Sequence, residues 1–280
     1  MSLRLFKQKM NVRNKILRKL LIAGCIAITI GSCSQNNDVL ITEIGVTPPT
    51  TSSTNPSTAR DFYLRGQQLQ SQGDLPGALA AYNRAITLNP NYPAVYNERG
   101  LVHLDMGNKS AAIADYNQAL KLDPNNFQAY NNRGNVYAAQ GNGNAAISDY
   151  NLAITANPNY AEAYNNRGNT RAAQGDRNGA INDYSQAIAL NPKYAIAHNN
   201  RGNARAAQGD RNGAIADYNQ AILINPNFAA AYNNRGNAYI ALGDKPSAIA
   251  DFQKAAQLFQ EQKNPTLAQQ VNDNLRELQK

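Results

Sequence analysis

The sequence predicts an all-α protein, an α-solenoid of six helical hairpins followed by one further helix, on three features. Pro90, Pro124, Pro158, Pro192 and Pro226 recur at a step of 34 residues. Two glycine series, one running from Gly66 to Gly236 and one from Gly73 to Gly243, keep the same step. Within each period, positions 4, 7, 8 and 11 share about 100° of arc on a helix, which makes one buried stripe. A fixed period of this length marks stacked supersecondary units rather than a globule. Each unit leaves an apolar face open until the next one covers it, so stability comes from nearest-neighbour stacking.

Counting Phe127 as position 1, the third period carries Tyr130, Gly134, Tyr137, Ala146, Tyr150, Ala153 and Pro158 at positions 4, 8, 11, 20, 24, 27 and 32. This pattern resembles the tetratricopeptide repeat. In that register six repeats cover 59–92, 93–126, 127–160, 161–194, 195–228 and 229–262. The resemblance implies a right-handed superhelix of antiparallel helix pairs. In each pair, small residues at positions 8, 20 and 27 let the two helices approach, and aromatics at 4 and 24 fill the remaining volume. Glycine at position 15 ends the first helix. Asp or Asn at position 16, as in Asp74, Asn108 and Asn142, is placed to cap the second helix. Proline at position 32 closes it. The sixth repeat has Gln260 in place of that proline, and 263–280 continues with Leu267, Val271, Leu275 and Leu278 at helical spacing, a solvating cap. Thirteen helices are expected after residue 58.

Ahead of the repeats the composition changes. The chain of 280 residues carries a formal charge of +8, but seven of its 27 basic residues lie in 1–33, a stretch with no acid. The remainder holds 20 basic against 19 acidic residues, so nucleic acid is not an expected partner. Leu20 to Ser32 is a mostly apolar run of 13 residues behind that basic stretch, the order of a secretory signal peptide, assigned to 1–32. It falls short of the roughly 20 residues that span a bilayer.

Ile30-Gly31-Ser32-Cys33 resembles the bacterial lipobox, whose cysteine becomes the lipidated N-terminus. Ile22-Ala23-Gly24-Cys25 fits the same pattern, but would leave Ile26 to Ile30 stranded on the mature protein, so Cys33 is the expected lipidation site. Two or more acyl chains there would anchor the protein stably. By resemblance to Gram-negative sorting, Ser34 favours the outer membrane, with the protein facing the periplasm. Residues 33–58, rich in Thr, Ser and Pro, form a disordered linker with a reach of roughly 28 Å. Both cysteines precede the repeats, which leaves no disulfide for the folded part.

Little in the repeats points to catalysis. His103 and His198 stand at positions 11 and 4, slots that hold aromatics in sister repeats, and are expected to be packing substitutes. The Gly-Asp-Arg-Asn-Gly segments at 175–179 and 209–213 lack the terminal glutamate and length of a calcium loop and are expected to be inter-helix turns. No catalytic residue, metal, cofactor or small-molecule substrate is expected.

Arginine fills position 7 in all six repeats, where leucine is usual in the family, and aspartate fills position 23 in the last five. Because the helices of a hairpin are antiparallel, cross-helix ion pairs between positions 7 and 23 are expected. Arg171 and Arg205 replace the position-11 aromatic, which makes repeats four and five the most cationic and the candidate contact for an anionic partner.

Asparagine dominates the other side of the first helix. Position 5 gives Asn97, Asn131, Asn165, Asn199 and Asn233; position 6 gives Asn132, Asn166, Asn200 and Asn234; position 9 gives Asn135, Asn169, Asn203 and Asn237. The family resemblance places this side on the concave wall. One amide can both donate to and accept from a peptide group, so a ladder of them suits an extended backbone. A similar ladder lines the repeat region of the protein O-linked N-acetylglucosaminyltransferases, whose catalytic half has no counterpart here. The lysines and arginine of the dicarboxylate-clamp repeats are absent, with Asn131 and Glu162 standing at such places.

The expected function is therefore non-enzymatic: a membrane-tethered scaffold or adaptor that binds extended peptide segments of other proteins in an asparagine-lined groove. The alternatives are a pilotin or assembly factor for an envelope complex, and a regulatory subunit of an enzyme on another chain.

Overall fold

The computed structural model describes residues 57–279. The expectations for the signal peptide, Cys33 and most of the linker therefore lie outside the described residues. Thirteen α-helices make up the described residues, twelve in antiparallel pairs and one single, and they fall into two compact units that part between Pro158 and Asn159.

The first unit holds three hairpins: α1 (Ala59–Ser71) with α2 (Leu75–Leu88), α3 (Pro93–Asp105) with α4 (Lys109–Leu122), and α5 (Phe127–Ala139) with α6 (Gly143–Ala156). The second holds α7 (Ala161–Ala173) with α8 (Arg177–Leu190), α9 (Ala195–Ala207) with α10 (Arg211–Ile224), α11 (Ala229–Leu242) with α12 (Lys245–Glu261), and the single helix α13 (Pro265–Gln279). Within each unit, first helices touch first helices: α1 meets α3 and α3 meets α5, while α7 meets α9 and α9 meets α11. Residues on that side of successive hairpins are thereby brought side by side.

Each hairpin closes on a three-part packing unit. The position-24 ring, Tyr82, Tyr116, Tyr150, Tyr184, Tyr218 or Phe252, is buried between alanines at positions 20 and 27 that are themselves 0% exposed. A ring buried this way stabilises by roughly 2 to 3 kcal/mol. It lies flat on the position-8 glycine of the first helix, so that a Cβ on Gly134 would stand 2.8 Å from the nearest carbon of Tyr150, and one on Gly202 2.6 Å from that of Tyr218. Glycine is needed here because the ring occupies the place of a side chain.

The turn between paired helices follows from two adjacent residues. Gly141 has φ of +79°, in the left-handed region, and the other position-15 glycines match it. The Asn142 N–H then donates to Tyr137 O at 2.9 Å and the Gly141 N–H to Ala138 O at 3.0 Å, which satisfies the last carbonyls of α5. Position 16 is the N-cap of every second helix; the Asp176 and Asp210 carboxylates accept from the Gly179 and Gly213 N–H at 2.9 Å, whereas Asn108 makes no such bond. The Gly-Asp-Arg-Asn-Gly segments are thus inter-helix turns.

The second helices end one residue before an extended Asn or Asp at position 31. Its side chain accepts from the N–H two residues on, as in Asn191 from Lys193 at 3.1 Å, and the following proline favours that extended backbone. Without the proline, α12 runs on to Glu261, and α13 then lays Ala268, Val271 and Leu275 against Phe252, Leu258 and Phe259. Leu267 and Leu278 pack at the edge of the same cluster.

In an open helix, Gly→Ala stabilises by about 1 kcal/mol. Gly134→Ala is expected to do the reverse, lowering stability by about 1–3 kcal/mol through overpacking against Tyr150. Urea unfolding measures this, and an unchanged or raised midpoint contradicts the packing described.

Candidate functional site

The candidate site is the side of the first helices that carries the asparagines, and its geometry starts from the arginine beside them. In five hairpins the position-7 guanidinium pairs across to the position-23 aspartate: Arg99–Asp115, Arg167–Asp183 and Arg235–Asp251 at 2.6 Å, and Arg133–Asp149 and Arg201–Asp217 at 2.7 Å. Each aspartate is buried, and Nε and Nη2 of each arginine bind its two oxygens in a fork. The third nitrogen reaches the preceding hairpin, where Arg99 donates to Asn83 at 2.7 Å, Arg133 to Asn117 and Arg235 to Asn219 at 2.6 Å, and Arg201 to Ser185 Oγ at 3.1 Å. Tyr96, Tyr130, Tyr164 and Tyr232 at position 4 lie under the guanidinium groups at 5.4–5.7 Å. The hydrogen bond to the aspartate is the main reason that the Arg133 and Arg235 pKa values are raised.

Arg171 and Arg205 join the same clusters. Each places Nη1 2.8 Å from the second oxygen of Asp183 or Asp217, so two guanidinium groups share one carboxylate; Arg171 also has Asp176 at 3.9 Å, while the Arg201–Arg205–Asp217 triad keeps one net positive charge. Their side chains stay 28% and 29% exposed. Burial pushes the Asp217 carboxyl up, but the adjacent His198 ring and the Arg201 and Arg205 charges outweigh it and hold the pKa below its ordinary 3.8. His198 itself is buried, with Nε2 3.2 Å from Pro192 O, the contact that the Tyr96 hydroxyl makes to Pro90 O at 3.1 Å. It packs as a tyrosine substitute.

The asparagines divide by position. At position 5, Asn97, Asn131, Asn165 and Asn199 are buried, and Asn233 is half-buried. Three of them receive the next hairpin: Asn132 Nδ2 donates to Asn97 Oδ1 and Asn234 Nδ2 to Asn199 Oδ1 at 3.0 Å, and Asn200 Nδ2 to Asn165 Oδ1 at 3.1 Å. These bonds join residues 35 apart in sequence and fix the register of neighbouring hairpins. Asn166 is half-buried, and Asn200 is buried.

Position 9 answers the buried ring. The hydroxyls of Tyr150, Tyr184 and Tyr218 donate to Oδ1 of Asn135, Asn169 and Asn203 at 2.8, 2.9 and 2.9 Å. Burial first, and the neighbouring aspartate second, push the Tyr184 and Tyr218 hydroxyls up in pKa, so they remain donors. The first hairpin has Gln67 at position 9, and its Tyr82 hydroxyl donates to Gln70 Oε1 at 3.0 Å instead; two others break the pairing in opposite ways. The second has Leu101 at position 9, and its buried Tyr116 hydroxyl has no partner; the sixth has Phe252 at position 24, and the buried Asn237 Oδ1 has none.

The side of the first helices is thus partly committed to the fold. What these bonds leave over are Oδ1 of Asn132 and Asn234 and Nδ2 of Asn135, Asn169 and Asn203, acceptors at position 6 and donors at position 9. Of the thirteen asparagines expected to bind peptide, Asn203 is exposed and Asn132, Asn135, Asn166, Asn169, Asn233, Asn234 and Asn237 are half-buried. Sequence periodicity grouped these positions; the tyrosine-to-asparagine and inter-hairpin bonds had no signal in it beyond the paired exceptions at Leu101 and Phe252.

No group of three or more His, Cys, Asp or Glu among the described residues could hold a metal ion. No helix among them is long and apolar enough to cross a membrane.

Family models of the TPR repeat match residues 66–107, 104–141, 134–175, 168–209 and 202–243, and one of the tetratricopeptide repeat matches 229–262. Among solved structures the chain is similar to MamA, at 31% identity over 59% of this chain and 96% of that one, with a TM-score of 0.53. It shares its fold with a tetratricopeptide repeat protein from Parabacteroides merdae, at 20% identity over 79% and 93% of the two chains and a TM-score of 0.59. It also shares it with YrrB, described as a TPR protein with an unusual peptide-binding site, at 22% identity over 69% and 98% and a TM-score of 0.53. None of the curated proteins matches the chain.

Phe252→Tyr supplies the hydroxyl that Asn237 Oδ1 lacks and is expected to raise stability by about 1 kcal/mol. Thermal unfolding of this variant reads it directly, and a lowered midpoint contradicts the pairing of positions 9 and 24.

Proposed function

Because the chain belongs to the tetratricopeptide repeat family, we propose that it is a non-catalytic protein-binding module that holds extended peptide segments of other proteins on the asparagine side of its first helices. The observation that carries this is the set of leftover acceptors at position 6, on Asn132 and Asn234, and leftover donors at position 9, on Asn135, Asn169 and Asn203, amides whose other atoms are locked into the fold. Locked amides lose little rotamer freedom when a ligand arrives, so binding costs less entropy. Within either unit, an extended peptide rises about 3.3 Å per residue and would meet a new first helix about every three residues, given axes about 8–10 Å apart. Each bond is worth about 0.5–1.5 kcal/mol, so several rungs give micromolar affinity with little sequence preference. The peptide-binding description of YrrB accords with such a use of the fold.

The module is exported and held at a membrane by lipid on Cys33, facing the periplasm and placed in the outer membrane, with 33–58 as its tether; the order of basic stretch, apolar run and lipobox in the sequence supports this. The half-buried Arg171 and Arg205 edges, the second in a triad with one net positive charge, favour an acidic flank on the bound segment.

The test uses a substitution that the fold already tolerates. Hairpin 2 carries Leu101 at position 9, so Asn135→Leu, Asn169→Leu and Asn203→Leu together remove peptide-facing donors at a place where leucine packs. Peptides selected from a random library with the intact protein are expected to bind the triple variant at least about tenfold more weakly. Equal affinity would remove the amide-ladder mode. In cells, Cys33→Ser is expected to shift the protein from the membrane fraction to the soluble one, and retention on membranes contradicts the lipid tether.

A further inference from the structure

The asparagine row at positions 6 and 9 begins only with the third hairpin, and the first carries Leu64 and Gln67 there. At position 6 of the second hairpin stands Glu98, where hairpins three to six carry asparagine. Its neighbours change with it. Position 5 of the first hairpin is Tyr63 instead of asparagine, and positions 9 and 12 of the second are Leu101 and Leu104 instead of Asn and, in hairpins three to five, Ala. The side chains of Tyr63, Glu98, Leu101 and Leu104 are all half-buried. The rings of Tyr63 and Tyr92 lie 5.3 Å apart and those of Tyr63 and Tyr82 6.1 Å apart, and the Tyr63 hydroxyl accepts from Gln67 at 2.9 Å.

Glu98 has little to balance its charge. Its one hydrogen bond is a long one from Asn97 Nδ2 at 3.4 Å, and none of the ion pairs among the described residues includes it. Burial lifts its carboxyl pKa, with the Asn97 amide opposing. The charge reaches three phenols: burial first and Glu98 second raise Tyr63, to about 12, and also Tyr82 and Tyr116. Elsewhere on this side the chain neutralises each buried carboxylate with a forked arginine. A half-buried carboxylate without a counter-ion is costly unless a cation comes from outside. Tyrosine faces next to it add attraction for the same charge.

We propose that Glu98, with Tyr63 beside it and Leu101 and Leu104 as an apolar shelf, is a specificity site for a lysine or arginine side chain of the bound segment. The aliphatic stem lies on the leucines and the cationic head meets the carboxylate. This deepens the peptide-binding function proposed above and rests on it, and it gives the otherwise permissive amide row a fixed point. It belongs wholly to the first unit, formed by α1 and α3 with Tyr82 and Tyr92 behind them.

The experiment uses the full-length protein and Glu98→Gln, a change to the residue chemistry of the sister hairpins. Eight-residue peptides, uncharged apart from one central Lys, Arg or Glu, and one with norleucine there, are titrated against both. The intact protein is expected to bind the Lys and Arg peptides about tenfold tighter than the norleucine peptide, with the ratio shrinking as salt is added, and Glu98→Gln to bind all four alike. A Lys preference that persists in Glu98→Gln, or no preference in the intact protein, overturns the site while leaving the amide row standing. The same proteins are followed by NMR while N-acetyl-lysine methylamide, or its norleucine counterpart, is added. If no eight-residue peptide binds but the lysine compound alone shifts the Glu98 carboxyl and Tyr63 ring resonances, the amide-row function fails and the cation site stands. If the lysine compound shifts nothing and no peptide binds, both fail.

Discussion

One guanidinium group in each of hairpins two to six organises the fold. Arg133 grips Asp149 of its own second helix with two nitrogens, reaches Asn117 of the preceding hairpin with the third, and rests on Tyr130 of its own helix. Lysine, with a single point charge, could not make these contacts at once. A leucine at this position would give apolar packing without direction, whereas the fork sets the angle and register between elements. The buried aspartate is in turn tolerable because it never lacks a counter-charge, and in hairpins four and five it has two.

With that clamp in place, the rest of the hairpin can be small. Position 8 is glycine because the position-24 ring rests on it, and positions 20 and 27 are alanine because they flank that ring. In hairpins three to five the ring brings a hydroxyl into the interior, which the position-9 asparagine then satisfies from the first helix. Position-6 asparagine joins the third, fifth and sixth hairpins to their predecessors through position 5. The polar residues that line the first helices therefore build the fold with one end and offer chemistry with the other. A generic binding surface arises where both ends are amide, and a selective one where the pattern is broken, as at Glu98.

The hairpins were legible because their determinants are local. Gly141, Asn142 and the Asn-Pro that follows each second helix act within a few residues, and the Arg133 to Asp149 pair spans a single antiparallel turn whose geometry is known in advance. The fate of the asparagines was not legible. Helical periodicity places Asn97, Asn132 and Asn135 on neighbouring arcs, but which of them the next hairpin covers depends on the register between repeats, set by contacts 35 residues apart. Asn97 thus ends buried while Asn203 ends exposed, from the same amino acid and the same kind of helix. Arg171 and Arg205 show the same limit, since their share in the Asp183 and Asp217 carboxylates depends on a crossing angle that composition does not carry.

The clamp is tested most directly by the unfolding free energy of the intact protein and of Asp217→Asn measured as a function of pH. The folded pKa of Asp217 is lowered below 3.8, so its contribution is fully present above that value and is lost as pH falls through the lowered folded pKa. At neutral pH the variant, left with Arg201 and Arg205 unpaired, is expected to be less stable by about 3 kcal/mol. That gap should narrow as the pH drops below 3.8. A variant as stable as the intact protein at neutral pH, or a gap that stays constant into acid, would contradict the central role given to the arginine–aspartate pair.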